Sequence, residues 1–172
     1  MSDPVELIEV ETMIFGRYST ATRRRGEPVL DRSAYTLLSR IAAGAPMSIT
    51  QLSEALGLDV STLNRQTSAA MRAGHLRRIP DPDGGVARKF ELTAEGRDRL
   101  DEQRHAYRRF LADILYDWDR SDLATFAGYL RRFNSALESR QGVAWPRPVP
   151  EAGGSYRGES DIRHGFGAGD PA

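Results

Sequence analysis

The chain has 172 residues, 40% hydrophobic and 28% charged, a composition that suits one globular domain with room for a tail. Its 24 basic and 24 acidic residues cancel, so total charge argues for no particular partner. The absence of cysteine excludes disulfides, thiolate metal sites and cysteine nucleophiles.

No run approaches the roughly 18 apolar residues that span a bilayer. The acidic start, MSDPVELIEVE, lacks the basic-then-apolar order of a secretory signal. A cytoplasmic protein with no membrane partner is the expectation. The spacing of Leu7, Val10, Ile14 and Tyr18, widened by Met13 and Phe15, predicts a first helix over 4–22. Arg17 and the run Arg23, Arg24, Arg25 fall towards its C-terminal end, where positive charge suits the helix dipole. The run reads as a solvated helix end or as a contact to phosphate or a partner subunit. A second helix is expected from Asp31 or Ser33, with Ala34, Leu37, Leu38 and Ile41 inward, stopped by Gly44 and Pro46. Ser48 and Ile49 suit a very short strand. Thr50 is the expected cap of a third helix running to Leu56, with Leu52, Ala55 and Leu56 inward and Gly57 closing it.

Asp59 is placed to cap a fourth helix. Val60, Leu63, Thr67, Ala70 and Met71 share its inner side, and Ser61, Thr62, Asn64, Arg65, Ser68 and Arg72 the outer one. The short turn GLD between two amphipathic helices has helix-turn-helix length. A strand over His75–Ile79, turn chemistry in DPDGG at 81–85, and a return strand over Val86–Leu92 then make a β-hairpin. Thr93 caps a fifth helix to about Tyr116, striped by Leu100, Tyr107, Leu111 and Ile114, with Trp118 beyond. Ser121 is the expected cap of a sixth, whose seam is Leu123, Phe126, Leu130, Phe133 and Leu137. Such a seam suits packing on its own domain or against a second copy. Beyond about Arg140 glycine and proline dominate without periodicity, and a mostly disordered tail is expected; docking of Trp145, Tyr156 or Phe166 is the lesser expectation.

Charge is unevenly placed. Val60 to Pro80 holds no acid but contains Arg65, Arg72, Arg77 and Arg78. Lys89 is the sole lysine. Arginine's planar fork matches phosphate and guanine, although a base-composition bias would enrich arginine equally. Enzyme signatures are missing: no phosphate loop, dinucleotide loop, HExxH or nucleophile elbow. His75, His105 and His164 are too far apart in the chain to suggest a metal site. Neither catalysis nor a cofactor is expected. A recognition helix in a major groove is the reading with a mechanism: Ser61, Thr62 and Asn64 are short enough for close approach, and Arg65 can pair with guanine in a bidentate manner. Ser68, Arg72, Arg78, Arg88 and Lys89 are the candidates for backbone contacts, Arg88 and Lys89 pointing to opposite strand faces.

Three parts of residues 47–96, LSEALGLDVSTLNR, DPDG and LTAEG, together resemble the MarR (multiple antibiotic resistance regulator) family of bacterial transcription factors, and the flanking helices extend the resemblance to about 5–138. The fold it implies is mainly α with a small β-hairpin: a winged helix-turn-helix over 31–93, flanked by dimerisation helices at 1–30 and 94–140, with the tail at 141–172. It further implies a homodimer on palindromic double-stranded DNA, repression, and release by a small aromatic effector held between the dimerisation and DNA-binding parts. Phe15, Arg17, Tyr18, Tyr35, Tyr107 and Arg109 are candidates to line such a cleft, the aromatic ones being equally suited to a core. The family's wing-tip arginines are replaced here by Gly84, Gly85 and Val86. That departure keeps a second reading open, a winged-helix protein-interaction module that has lost specific DNA binding.

Overall fold

A computed structural model describes residues 3–18 and 30–147. Its helices are α1 (Pro4–Tyr18), α2 (Arg32–Ala42), α3 (Ile49–Leu56), α4 (Val60–Arg72), α5 (Ala94–Ile114) and α6 (Arg120–Gln141). Strands β1 (Met47–Ser48), β2 (Leu76–Ile79) and β3 (Lys89–Leu92) form one antiparallel sheet in the order β1-β3-β2. The expected end of the first helix, its arginine run, and Tyr156, His164 and Phe166 lie outside the described residues.

One apolar cluster organises the middle of the chain. Leu37, Leu38 and Ile41 of α2 meet Leu52 of α3, Leu63 and Ala70 of α4, Leu76, Phe90 and Leu92 of the sheet, and Leu100 of α5. The predicted inner stripes of α2, α3 and α4 therefore converge, except that Val60 is 44% exposed at the open start of α4; of the predicted α5 stripe only Leu100 joins them, and Ile114 is 55% exposed. Thr67 is fully buried, and its hydroxyl donates back to the Leu63 carbonyl at 2.8 Å. A polar side chain is thus tolerated in the core because its own helix satisfies it.

Two helix starts differ from expectation, for one reason. Ser48, not Thr50, caps α3, because Gln51 completes a reciprocal capping box with it. Asp119, not Ser121, caps α6: its carboxylate accepts from the Asp122 amide and the Ser121 hydroxyl. In both places the better cap lies two residues earlier. The return strand is also shorter than 86–92. Val86, Ala87 and Arg88 remain in the loop, and pairing starts at Lys89, opposite Ile79 on β2 and Ser48 on β1.

The corner where α4, β2 and α5 meet explains the LTAEG run. The Thr93 hydroxyl donates to the Gly74 carbonyl at 2.6 Å and accepts from the Gly96 amide at 2.9 Å. The Thr93 amide donates to the His75 carbonyl. Gly96 lies so close to that strand that an added Cβ would meet the His75 carbonyl oxygen at 2.1 Å. Gly74 itself has φ +77°, the left-handed conformation that lets α4 stop and β2 begin.

The outer helices are different. Neither α1 nor α6 buries a residue. Phe126, Leu130, Phe133 and Leu137 are each 40–45% exposed along the predicted seam. Past α6 the chain doubles back rather than leaving freely: Gly142 caps the helix in a left-handed turn, and Arg147 grips Glu138 with two hydrogen bonds of 2.7 and 2.9 Å. The first residues expected in a disordered tail, including half-buried Trp145, are ordered by this return.

Candidate nucleic-acid interface

Helix α4 is held from beneath by Leu63, Thr67 and Ala70, so its opposite side is fixed towards solvent. Ser61, Asn64, Arg65 and Arg72 are exposed there, with Thr62 and Ser68 half-buried. All six predicted α4 residues thus share the open side of one helix. Asp59 occupies the N-cap position, yet its side chain makes no capping hydrogen bond. Its carboxylate therefore stands at the start of this surface, able to accept from a donor such as a cytosine amine. The chain position suggested a cap, so this residue was missing from the predicted set.

The hairpin beside α4 sorts its cations into different roles. Arg77 is paired to Glu91 directly across the strands. Arg78 lies 5.1 Å from the centroid of the Phe90 ring, a cation–π contact that holds it at the sheet edge while leaving it exposed. Arg88 is exposed in the loop.

Lys89 is placed differently from a phosphate-seeking surface lysine. Its residue is 8% exposed, and its ammonium sits 2.7 Å from Asp81 and 2.9 Å from Asp83. The hydrogen bond to Lys89, helped by the Asp83 amide, holds the Asp81 carboxyl below its usual range, and the two carboxylates hold Lys89 above its own. A depressed carboxyl contributes stability that is present above its unfolded pKa and lost as pH falls through the folded one. The Lys89 side, being raised, stays charged throughout the neutral range. The clamp should accordingly survive mild acid. Carboxyl-carbon NMR is expected to show Asp81 titrating below the ordinary aspartate range, and a Lys89→Met substitution to move it upward; no movement would remove Lys89 as the cause.

The six candidate ligand residues lie on three helices, α1, α2 and α5. Phe15 and Tyr18 are about 60% exposed on α1, with Arg17 over the Tyr18 ring. Tyr35 packs on the apolar cluster, Tyr107 stacks on Phe110, and Arg109 is exposed. A surface cleft instead lies at the start of α6, lined by Asp117, Trp118, Asp122, Thr125, Phe126 and Tyr129. Among the described residues no group of three or more histidines and carboxylates could hold a metal, and no helix is long and apolar enough to cross a membrane.

Two short helices joined by a tight turn, the second presenting a polar face, with a β-hairpin directly after it, define a winged helix-turn-helix. Comparison with known proteins agrees. No family model matches the sequence. The uncharacterized HTH-type transcriptional regulator YxaD of Bacillus subtilis strain 168 is 33% identical over 141 residues, spanning 78% of this chain and 96% of that protein. Among solved structures, FabT of Streptococcus pneumoniae in complex with DNA aligns with a TM-score of 0.65 at 17% identity, covering 80% of this chain and 99% of FabT. A MarR family protein from Bacillus stearothermophilus gives 0.63 at 20% identity, over 80% and 99%. Wild-type MarR from E. coli gives 0.60 at 16%, over 77% and 98%. The chain belongs with the HTH-type transcriptional regulators, as its likeness to YxaD shows, and it has the winged helix-turn-helix fold of the MarR-family structures. Its relative YxaD is described as a transcriptional regulator.

Proposed function

We propose that this protein is a homodimeric, sequence-specific repressor that reads a palindromic operator with α4. One observation carries the reading: the open side of α4 offers short polar side chains ahead of Arg65, on a helix fixed from below by the buried Leu63, Thr67 and Ala70. Short side chains permit the close approach a major groove requires, and Arg65 then reaches a guanine edge with two donors. Ser68 and Arg72, later on the helix, and Arg78 and Arg88 on the wing fall to the phosphate backbone. FabT, a neighbour in fold, is known bound to DNA, and another neighbour is the Multiple Antibiotic Resistance Repressor. Dimerisation falls to α1 and α6, whose apolar side chains lie open. Relief by a small aromatic effector belongs to the same proposal. Its test is operator affinity across a panel of aromatic acids, and no change across the panel would remove it.

The DNA reading is tested by titrating fragments of the protein's own upstream region at two salt concentrations. Arg65→Ala is expected to weaken the specific complex by about 1–3 kcal/mol, roughly fivefold to 150-fold, and to relax preference at one base position. An Arg65→Ala protein that bound like the unaltered one would sink the assignment. Complete lack of sequence preference in the unaltered protein would favour the protein-interaction module that the glycine wing tip raises.

A further inference from the structure

The wing should be loose by composition. Residues 80–88 lie between the two strands without pairing into the sheet, and two glycines occupy the place of the family's tip arginines. It is instead tied at several points. The Asp83 amide donates to Asp81 Oδ1 at 3.0 Å, and the Gly84 amide to the Asp81 carbonyl at 3.0 Å. Gly84 turns the chain at φ +80°. Gly85 lies against the Asp81 carboxylate, where a Cβ would come within 2.3 Å of Oδ2. Through that carboxylate the loop is tied to Lys89, at the start of the central strand. The Lys89 and Asp81 side chains are only 10% and 12% exposed, whereas Asp83 is 84% exposed. The inner part of the clamp is therefore a mostly buried pair, and removing Lys89 would leave the Asp81 charge uncompensated.

Two carboxylates on a loop that faces DNA would repel phosphate, so their presence there calls for a purpose in the loop itself. We propose that Lys89 is a positioning residue: by drawing Asp81 and Asp83 together it shapes the wing tip and sets the path along which the neighbouring Arg88 leaves the loop, while making no DNA contact of its own. This rests on the DNA-binding reading above. It also assigns the glycines a reason, since a side chain at residue 85 would push the Asp81 carboxylate off Lys89. The wing loses its arginine tip and gains a scaffold, two carboxylates drawn onto one ammonium, that presents one phosphate contact.

Contacting and positioning roles differ in their salt dependence. A side chain that neutralises a phosphate steepens the dependence of affinity on salt, by about 0.9 in the logarithmic slope for each contact on B-DNA. A side chain that only shapes the loop leaves the slope alone. The experiment is a fluorescence-anisotropy titration of an upstream-region fragment between about 50 and 200 mM salt, with Lys89→Met, Lys89→Arg, Asp81→Asn and Arg88→Ala, alongside amide hydrogen exchange at Asp83 and Gly84 without DNA. Arg88→Ala should flatten the slope by about 0.9. Lys89→Met and Asp81→Asn should each weaken binding by about fivefold to tenfold at unchanged slope, about 1 kcal/mol or a little more, and speed exchange at both amides. Lys89→Arg, which keeps donors for the carboxylates, should recover most of the loss.

Asp81→Asn is the decisive arm, because deleting a negative charge strengthens DNA binding if charge alone matters. Tighter binding by Asp81→Asn, a slope flattened by Lys89→Met, or unchanged amide exchange would each overturn the proposal. Absence of DNA binding by the unaltered protein would overturn the functional reading and the Arg88 half of this one. Amide exchange would still decide whether the clamp orders the tip.

Discussion

Replacing Gly96 with alanine is expected to destabilise the protein by about 3 kcal/mol, although alanine is the better helix former by nearly 1 kcal/mol. The two effects oppose each other, and the contact decides. The new Cβ would stand 2.1 Å from the His75 carbonyl oxygen, which is backbone and also accepts the Thr93 amide. Neither group can rotate away. The first turn of α5 must lift from β2, which threatens the Thr93 hydrogen bonds to Gly74 and Gly96 together. Since that corner joins α4, the hairpin and α5, thermal unfolding should shift down by on the order of 10 °C for a domain of this size. Differential scanning calorimetry checks it. A midpoint equal to or above that of the unaltered protein would show that α5 can shift at no cost, and the close approach would lose its structural importance.

The second large effect concerns the seam of α6. The unaltered protein is expected to sediment as a dimer in sedimentation velocity, and Phe133→Asp as a monomer at the same concentration. The warrant is the exposure of apolar side chains on two helices that bury nothing of their own. Val5, Leu7, Met13 and Phe15 on α1 are each more than half exposed, and Phe126, Leu130, Phe133 and Leu137 follow on α6. Large apolar side chains left open along two helices mark surfaces meant to be covered. A carboxylate introduced there would have to lose its hydration for the helices to meet. Operator affinity should fall by about two to four orders of magnitude, because the second half-site would no longer be bound intramolecularly. A Phe133→Asp protein that stayed dimeric and bound normally would place the interface elsewhere.

Helical spacing placed the middle helices to within a few residues, because the stripes of α2, α3 and α4, from Leu37, Leu38 and Ile41 to Leu52 and Leu63, answer to the same buried cluster, whereas those of α1 and α6 lie open. The family was legible for a related reason: the turn, the DPDG opening and the LT before α5 fall at distances set by one corner of the fold. Caps were less legible. Thr50 and Ser121 are chemically able to cap, and the competition with Ser48 and Asp119 is decided by partners, Gln51 in one case and the Asp122 amide in the other. Lys89 was the least legible. Alternation along the strand sets it opposite Phe90 and so outward. What buries it is a loop folding back over the strand, driven by Asp81 and Asp83, and no periodicity carries that information. The grip of Arg147 on Glu138 escaped for the same reason, hidden by a composition that otherwise signals disorder.

The wing clamp has a chemical consequence beyond recognition. Its ammonium belongs to the only lysine in the chain, and every other basic side chain apart from the histidines is an arginine. Reagents and modifying enzymes that act on lysine amines, by acylation or by formaldehyde bridging, find one side-chain target, shielded between carboxylates while the loop is closed. Since the cations of the proposed DNA interface are guanidinium groups, formaldehyde would find little of its usual nucleophile there, and weak formaldehyde capture on DNA is the expected result. The same scarcity means that an acyl label on a side-chain lysine amine can sit at one position alone, Lys89 of the wing clamp.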